Sequence, residues 1–322
     1  MQFIVPSKSD IVRAHEKIKP YINETPVMTS QTLDQMFGCH FLFKCENFQK
    51  AGAFKSRGAV NAVFSLSKND VKRGVATHSS GNHAQALARA ARLRGVKAYI
   101  VMPDNAPRVK VEAVKEYGGE VFFCEPTLEA RETKLKEVIR QTGAVEIHPY
   151  DHPSIIEGQA TAAKELLADY QSTDLILAPV GGGGLLSGTA LSARYFGDHV
   201  EVIGCEPAGA DDAQRSFRKG EIIPSKNPDT LADGLLTSLG KLNFLIIKNH
   251  VKDIVTVSEE AILMALQLIW ERMKIVVEPS SAVPLAALIE QKIEVQNKTV
   301  GVILSGGNID LNKIGDWFDG KR

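Results

Sequence analysis

Short apolar runs alternate with longer amphipathic segments along most of the chain. The apolar runs cover residues 74–77, 96–102, 120–124, 174–180, 200–205 and 300–304. Each run has the length of a β-strand, and the segments between the runs have the length of helices. In residues 84–94, for example, Leu87, Ala90 and Ala91 recur at helical spacing. The pattern predicts βαβ units around parallel sheets, and a long packed helix over residues 259–273.

Size, composition and charge restrict the class of protein. The chain has 322 residues, which is the size of one large or two medium domains. Its 44% hydrophobic and 24% charged residues are typical of a globular protein. The 38 basic residues are balanced by 38 acidic ones. This balance argues against a nucleic-acid-binding protein, because such proteins neutralise phosphates with an excess of basic side chains.

Cysteine usage and hydropathy predict a cytoplasmic protein that does not enter the membrane. Cys39, Cys45, Cys124 and Cys205 show no CxxC spacing, so we expect free thiols in a reducing compartment. The first residues lack the long apolar core and cleavage site of a secretory signal. The most apolar helical stretch, residues 261–270, is too short to cross a bilayer.

A run of four glycines is the strongest single feature of the sequence. Residues 180–188 read VGGGGLLSG and follow a predicted strand. No GxGxxG frame fits these residues, and the GK[ST] of a P-loop is absent. Backbone N–H groups at the start of the next helix would form a compact cup for one phosphate monoester. A purely structural glycine turn is the alternative.

Two further loops lie where ligands bind in open α/β sheets, at the carboxyl ends of strands. Residues 79–83, SSGNH, precede an Ala-rich helix and could bind an anion, although a helix cap and tight turn explain the same residues. Ser305 begins the SGGN turn after the last predicted strand, from where its side chain could reach a ligand. Read alone, this turn is a weak signal.

Two clusters of charged residues have both a chemical and a simple structural explanation. Lys50, Lys55 and Arg57 lie among small and apolar residues. A lysine in an apolar phosphate-binding site can act as a nucleophile or base, whereas three solvated cations at a helix start are the alternative. Glu206 and Asp212 flank backbone carbonyls that could complete an oxygen site for Mg²⁺ or Ca²⁺, or they form an acidic surface turn.

Taken in order, these motifs resemble the fold-type II pyridoxal-phosphate (PLP) enzymes, in particular the serine racemase and serine/threonine dehydratase group. The resemblance covers about residues 11–311, and its most specific stretch is KCENFQKAGAFKSRGA. It implies two three-layer α/β/α domains with mostly parallel open sheets, as in the tryptophan synthase β fold. A small mobile domain would span residues 74–149, and a large PLP-binding domain residues 1–73 and 150–322. The resemblance also implies a homodimer.

The resemblance assigns roles to individual residues around the cofactor. Lys55 would be the Schiff-base lysine, and Ser305 would face the pyridine nitrogen. Asn82 would lie near the phenolic oxygen, and Phe54 and Gly234 would lie against the cofactor plane. The phosphate would be held by Gly181, Gly182, Gly183, Gly184 and Leu185.

The resemblance also implies sites for substrate, metal and effector. The substrate carboxylate would be held by Ser79, Ser80, Gly81, Asn82 and His83, and Ser80 would be a second acid/base for racemisation. Arg131 and His148 match positions that respond to substrate. Glu206, the Ala210 carbonyl and Asp212 match a divalent-cation site for Mg²⁺, with Ca²⁺ or Mn²⁺ as alternatives. Lys50 and Asn308 fall near a site at which ATP acts as an effector.

The activity implied is α,β-elimination of β-hydroxy amino acids such as L-serine, L-threonine or 3-hydroxyaspartate, to a keto acid and ammonia. One departure bears on this reaction, because Tyr150-Asp151 follow His148-Pro149 where the racemases have Asn. The aromatic-Asp pair resembles many dehydratases and favours elimination. The neutral hydroxyl of Ser305 favours it too, because an Asp there would stabilise a long-lived carbanion. A primarily serine-racemising enzyme is the alternative.

Two other classes of protein fit the fold pattern less well. A nicotinamide-dependent dehydrogenase would share the doubly wound sheet, but the GxGxxG pattern and the ribose-binding acid are missing. A non-catalytic ligand sensor would keep the fold and lose the chemistry, whereas Lys55 and Ser305 are both present.

Overall fold

The computed structural model of the protein describes residues 4–79, 81–106 and 108–318. Strands and helices alternate along this part of the chain. The strands are β1 Val27–Met28, β2 His40–Cys45, β3 Val75–His78, β4 Ala98–Pro103, β5 Gly119–Cys124, β6 Val145–Glu146, β7 Leu175–Pro179, β8 Glu201–Pro207, β9 Asp253–Val257 and β10 Thr299–Leu304.

The helices cover both faces of the sheets that these strands form. They are α1 Lys8–Ile18, α2 Gln31–Phe37, α3 Lys55–Ser65, α4 Lys68–Arg73, α5 Asn82–Arg94, α6 Arg108–Glu116, α7 Leu128–Thr142, α8 Pro153–Asp169, α9 Gly184–Phe196, α10 Asp212–Lys219, α11 Lys241–His250, α12 Glu259–Leu268, α13 Pro279–Ile289 and α14 Ile314–Phe318.

The strands form two separate sheets. One has six strands in the order β1-β2-β10-β7-β8-β9, and only the short edge strand β1 runs antiparallel to its neighbour. The other has four parallel strands in the order β5-β4-β3-β6. The strands of the second sheet fall within residues 74–149, which is where the resemblance places a small domain. That this domain is mobile stays a prediction.

Apolar side chains on both faces of each sheet make each domain three layers deep. Val300 and Val302 of β10 join the apolar cluster with α12 and α13, whereas Ile303 joins the cluster with α8 and α9. In the second sheet, Ile100 packs with α5 and α6, and Val101 packs with α7. The expected pair of α/β/α domains with mostly parallel sheets is therefore confirmed.

One predicted helix is interrupted. Over residues 259–273 the α-helix α12 ends at Leu268, and a π-helical turn continues as Ile269–Met273. The chain then leaves the helix at Lys274, which has a φ of +59°. The indole N–H of Trp270 donates to the carbonyl of Val277, 3.2 Å away, so the widened turn is tied to the chain that follows it.

A buried ionic cluster, formed by Lys44, Glu46, Arg57 and Glu165, joins β2, α3 and α8. Arg57 is fully buried and donates to both oxygens of Glu46 at 2.7 and 2.8 Å. It also donates to both oxygens of Glu165 at 2.6 and 2.7 Å. Lys44 completes the cluster with a 2.7 Å contact to Glu165. The cluster fixes the start of α3, two residues from Lys55.

Within the described residues, no helix has both the length and the apolar character required to span a bilayer.

Candidate active site

The candidate site lies where strands of both sheets end. Val180 and the glycine run follow β7, Ser305 follows β10, and Ser79 follows β3. In open α/β sheets, ligands bind in the crevice outside the carboxyl ends of the strands. The loops that the sequence singled out thus face one region between the two domains.

Lys55 is the first residue of α3 and lies beside Phe54 and Tyr150. Its Nζ donates to the carbonyl oxygen of Pro149 at 2.9 Å and lies 5.2 Å from the centre of the Phe54 ring. Burial lowers the pKa of Lys55 from its ordinary value to about 8, and the Glu278 carboxylate limits the fall. A substantial fraction of this amine is therefore neutral near physiological pH, and a neutral amine is a nucleophile and a base.

The glycine run forms a tight loop between β7 and α9. Gly183 has a φ of +92°, a conformation that side chains disfavour. Among the described residues, no acceptor binds the backbone N–H groups of residues 181–185, although all five residues are buried. Buried N–H groups are nearly always paired, so a group of free donors at a helix N-terminus fits a phosphate ligand.

Neighbouring side-chain and backbone atoms leave no room for a Cβ in this loop. A Cβ on Gly182 would collide with the ring of Tyr150, and one on Gly181 would meet the Cα of Leu235 at 2.9 Å. Gly234, beside that contact, donates its N–H to the hydroxyl of Ser280 at 3.2 Å. The structure thus brings Gly234 against the glycine loop, and its place against the cofactor plane stays a prediction.

Ser305 is buried and its hydroxyl lies 3.1 Å from that of Ser281. Ser281 also donates to the carbonyl of Gly306 and accepts from the Gly306 N–H. The carbonyl of Ser305 accepts the N–H of Phe54 at 3.0 Å, which ties the last strand to the residue before Lys55. Ser281 was not singled out in the sequence, because its pairing joins positions that are far apart along the chain.

Asn82 belongs to a hydrogen-bonded group that reaches across the two domains. Its Nδ2 donates to both oxygens of Glu278 at 2.9 and 3.1 Å, and its Oδ1 accepts from Asn308 Nδ2 at 2.9 Å. Burial raises the pKa of Glu278 to about 7, and the charge of Asp233 adds to this rise. Its hydrogen bond to Asn82 places Asn308 next to the candidate site. Lys50, the other residue predicted to lie near an effector, is exposed.

Glu278 is a site residue that the sequence analysis missed. It immediately precedes Pro279 at the start of α13, where the helix dipole alone favours an acidic residue. Only its nearly complete burial, at 3% exposure, marks it as unusual.

The predicted substrate loop lies at the start of α5. Ser79 donates its N–H to the Val101 carbonyl at 3.0 Å, and Gly81 donates its own to the Ser79 hydroxyl at 3.4 Å. His83 is buried with Nε2 3.3 Å from the Ile147 carbonyl, and burial holds its pKa well below the ordinary value. Ser80, the predicted second acid/base, lies outside the described residues.

His148 lies beside this loop as a neutral acceptor. Its Nδ1 accepts the N–H groups of Tyr150 and Asp151 at 3.3 and 2.9 Å. Burial, with the charges of His78 and Lys55, lowers the pKa of His148 to about 4. Burial also lowers the pKa of His78, and the charge of Arg131 adds to the effect. Arg131, whose charge affects His78 at the end of β3, donates its Nε–H to the Thr127 carbonyl at 3.3 Å.

The predicted metal residues come together at the end of β8. Glu206 and Asp212 are buried, and Ala210 lies in the short turn between them. Burial raises the pKa of Glu206 to about 9 and that of Asp212 to about 6. One oxygen of Asp212, Oδ1, is buried without a hydrogen-bond partner among the described residues. Two buried carboxylates with a free oxygen fit a hard divalent cation.

Comparisons with known proteins agree on one family. A family model described as "Pyridoxal-phosphate dependent enzyme" matches residues 18–306. The serine racemase of Dictyostelium discoideum is 49% identical over 310 residues, which cover 95% of each chain. The beta-hydroxyaspartate dehydratase of Paracoccus denitrificans is 48% identical over 310 residues, covering 96% of this chain and 98% of the relative. The crystal structure of a T.th. threonine deaminase, 43% identical, matches with a TM-score of 0.90 over 95% of this chain and 99% of that one.

Proposed function

Because the chain belongs to the pyridoxal-phosphate dependent enzymes, we propose that it eliminates water from β-hydroxy amino acids and releases a keto acid and ammonia. One observation carries the proposal. The amine of Lys55 and the glycine loop of residues 181–185 both border Tyr150, whose ring centre is 6.0 Å from Nζ and whose ring occupies the space that a Cβ of Gly182 would need. An amine and a phosphate cup that border the same side chain suit one cofactor.

Different residues of the site would contact different parts of the cofactor. The free N–H groups of the glycine loop would hold the phosphate, and Lys55 would hold the aldehyde carbon. Ser305 would face the ring nitrogen, Asn82 the phenolic oxygen, and Phe54 and Gly234 the ring faces. When bound, PLP supplies an electron sink that makes the Cα–H of an attached amino acid acidic.

Lys55 would then act as the base at Cα. Its lowered pKa means that a large fraction of the amine is neutral near pH 8, and the carbonyl of Pro149 orients it. The substrate carboxylate would lie at the start of α5, against residues 79–83, because a helix N-terminus presents N–H groups to an anion.

The hydroxyl pair at the ring nitrogen favours elimination. Ser305 and Ser281 are neutral donors and acceptors, so neither stabilises a protonated ring nitrogen as a carboxylate would. A weaker electron sink favours reactions that expel a leaving group quickly. Tyr150, in place of the racemase-type Asn, supports the same reaction.

Racemisation of serine is the second candidate, because the Dictyostelium relative is a serine racemase. It requires an acid/base on the face of the substrate opposite Lys55, and Ser80 is the proposed residue. In Ser80→Ala, formation of D-serine should disappear while elimination falls less. Equal loss of both activities would remove Ser80 from this role.

Several finer features belong to the same proposal. Mg²⁺, or Ca²⁺ or Mn²⁺, would bind Glu206, the Ala210 carbonyl and Asp212. The domain of residues 74–149 would close over the substrate and exclude water. The protein would be a homodimer, with ATP acting near Lys50 and Asn308. The four cysteines are free, which supports a cytoplasmic location.

A substrate panel tests the proposed reaction. L-serine, L-threonine and 3-hydroxyaspartate are incubated separately with the PLP-loaded protein, and keto acid and ammonia are measured. At least one substrate should give both products in equal amounts, and Lys55→Ala should give neither. If none of the three gives ammonia, the proposed elimination is wrong.

A further inference from the structure

We propose that Asn243, on α11, is a positioning residue that holds the glycine loop so that its N–H groups face the cofactor phosphate. The inference rests on the proposed function, because it takes residues 181–185 as the phosphate site. Asn243 is fully buried, and in the sequence it is an ordinary polar residue of an amphipathic helix.

The amide of Asn243 connects the glycine loop to the backbone of Tyr150. Its Nδ2 donates to the carbonyl of Gly182 at 2.9 Å and to the carbonyl of Tyr150 at 3.1 Å. The Gly182 carbonyl also accepts the N–H of Gly240 at 3.1 Å. This one carbonyl therefore has two donors, and both come from the start of α11.

Holding the Gly182 carbonyl determines where the next N–H points. The C=O and N–H of a trans peptide point in opposite directions, so the N–H of Gly183 is directed away from Asn243. That N–H is one of the free donors of the loop. Without a held carbonyl, the peptide between two glycines could rotate at little steric cost, and the donor would no longer be preorganised for phosphate.

Asp151 places Asn243. Its carboxylate accepts the N–H groups of Lys241, Leu242 and Asn243 at 2.9, 3.0 and 3.2 Å, which are the first three of α11. A carboxylate at a helix N-terminus also interacts favourably with the helix dipole. Asp151 is adjacent in sequence to Tyr150, whose ring covers Gly182, so this dipeptide supports the loop both directly and through α11.

The test compares two ligands that differ only in the phosphate. The affinity of the cofactor-free full-length protein is measured for PLP and for pyridoxal, which lacks the phosphate. In Asn243→Ala, PLP should bind at least about tenfold more weakly, because an intramolecular bond that preorganises a charged contact is lost. Pyridoxal affinity should change by less than about twofold, which is within the effect of a neutral substitution.

Two further variants make the comparison decisive. Asn249→Ala, on the same helix, should leave both affinities unchanged, because this side chain is exposed and its amide donates to the Leu245 carbonyl within the helix. Asp151→Asn should reproduce the selective loss of PLP affinity in a milder form, and it replaces Asn243→Ala if that variant does not fold. Thermal unfolding without ligand identifies any variant with a general folding defect.

The outcomes separate this inference from the proposed function. A selective loss for PLP supports the positioning role. An equal loss for both ligands, or no loss, overturns it while leaving the phosphate site intact. If the wild type itself binds PLP no better than pyridoxal, the glycine loop does not hold phosphate, and both the proposed site and the inference fail.

Discussion

Removing the guanidinium of Arg57 should destabilise the protein far more than removing an exposed cation. Arg57 donates to both oxygens of Glu46 and of Glu165, and none of its side chain is exposed. Burial alone would raise the pKa of Glu165, but hydrogen bonds from His15 and Arg57 outweigh it and hold the pKa well below its usual range. The carboxylate thus stays charged because its cations are present.

The magnitude follows from the charges left behind. In Arg57→Met, Glu165 keeps its contacts with Lys44 and His15, whereas Glu46 loses the guanidinium and keeps the hydrogen bond from the Thr25 hydroxyl. Breaking a buried ion pair by removing one partner costs about 3–5 kcal/mol. Unfolding entropy of about 2.1 cal/mol/K per residue amounts to about 0.7 kcal/mol/K for this chain of 322 residues. The expected fall in the melting temperature is therefore roughly 4–7 °C.

Thermal unfolding followed by circular dichroism, at saturating PLP, measures this difference. Arg73→Met is the matched control, because Arg73 pairs with Asp70 at the surface and is 53% exposed. Adding Glu46→Gln to Arg57→Met should recover part of the loss, since it removes one unpaired carboxylate. A fall no larger than that of Arg73→Met would refute the reasoning about the buried ionic cluster.

Three further predictions concern the candidate site. The rate at which the cofactor-free protein takes up PLP should rise with pH through about 8, where Lys55 loses its proton. If the midpoint of this rise lay near the ordinary lysine pKa of about 10.4, the lowering of the pKa by burial would be contradicted. Gly182→Ala should weaken PLP binding, because the added Cβ meets the Tyr150 ring, and Tyr150→Ala in the same chain should restore part of it; no recovery would show that the ring is not the obstacle. Glu206→Ala or Asp212→Ala should abolish activation by Mg²⁺ and lower the melting temperature, whereas a wild type whose activity and melting point are unaffected by EDTA would contradict the metal site.

The sequence predicted the strands and the loops at their ends, because both depend on local patterns. The predicted strands at residues 174–180, 200–205 and 300–304 correspond to β7, β8 and β10 with shifts of one or two residues. The predicted family, fold and PLP cofactor are confirmed by the family match. The hydrophobic pattern predicted one continuous helix over residues 259–273, whereas the structure changes from α-helix to a π-helical turn at Ile269.

Residues that act through long-range contacts could not be predicted in this way. Glu278 and Asn82 are 196 positions apart, and Asn243 and Gly182 are 61 apart. Nothing in the local sequence of either acceptor specifies its donor. The three cations near the start of α3 make the same point, since Lys50 is exposed, Lys55 faces the site and Arg57 is fully buried. Their different environments come from helices and strands distant in sequence.

The products formed from L-serine test the central claim most directly. The purified protein, loaded with PLP and supplied with Mg²⁺, is incubated with L-serine, and keto acid, ammonia and D-serine are measured over time. The account predicts that keto acid and ammonia accumulate together and exceed D-serine. D-serine as the main product, with little ammonia, would contradict the elimination that we assign to Lys55, Ser305 and Tyr150.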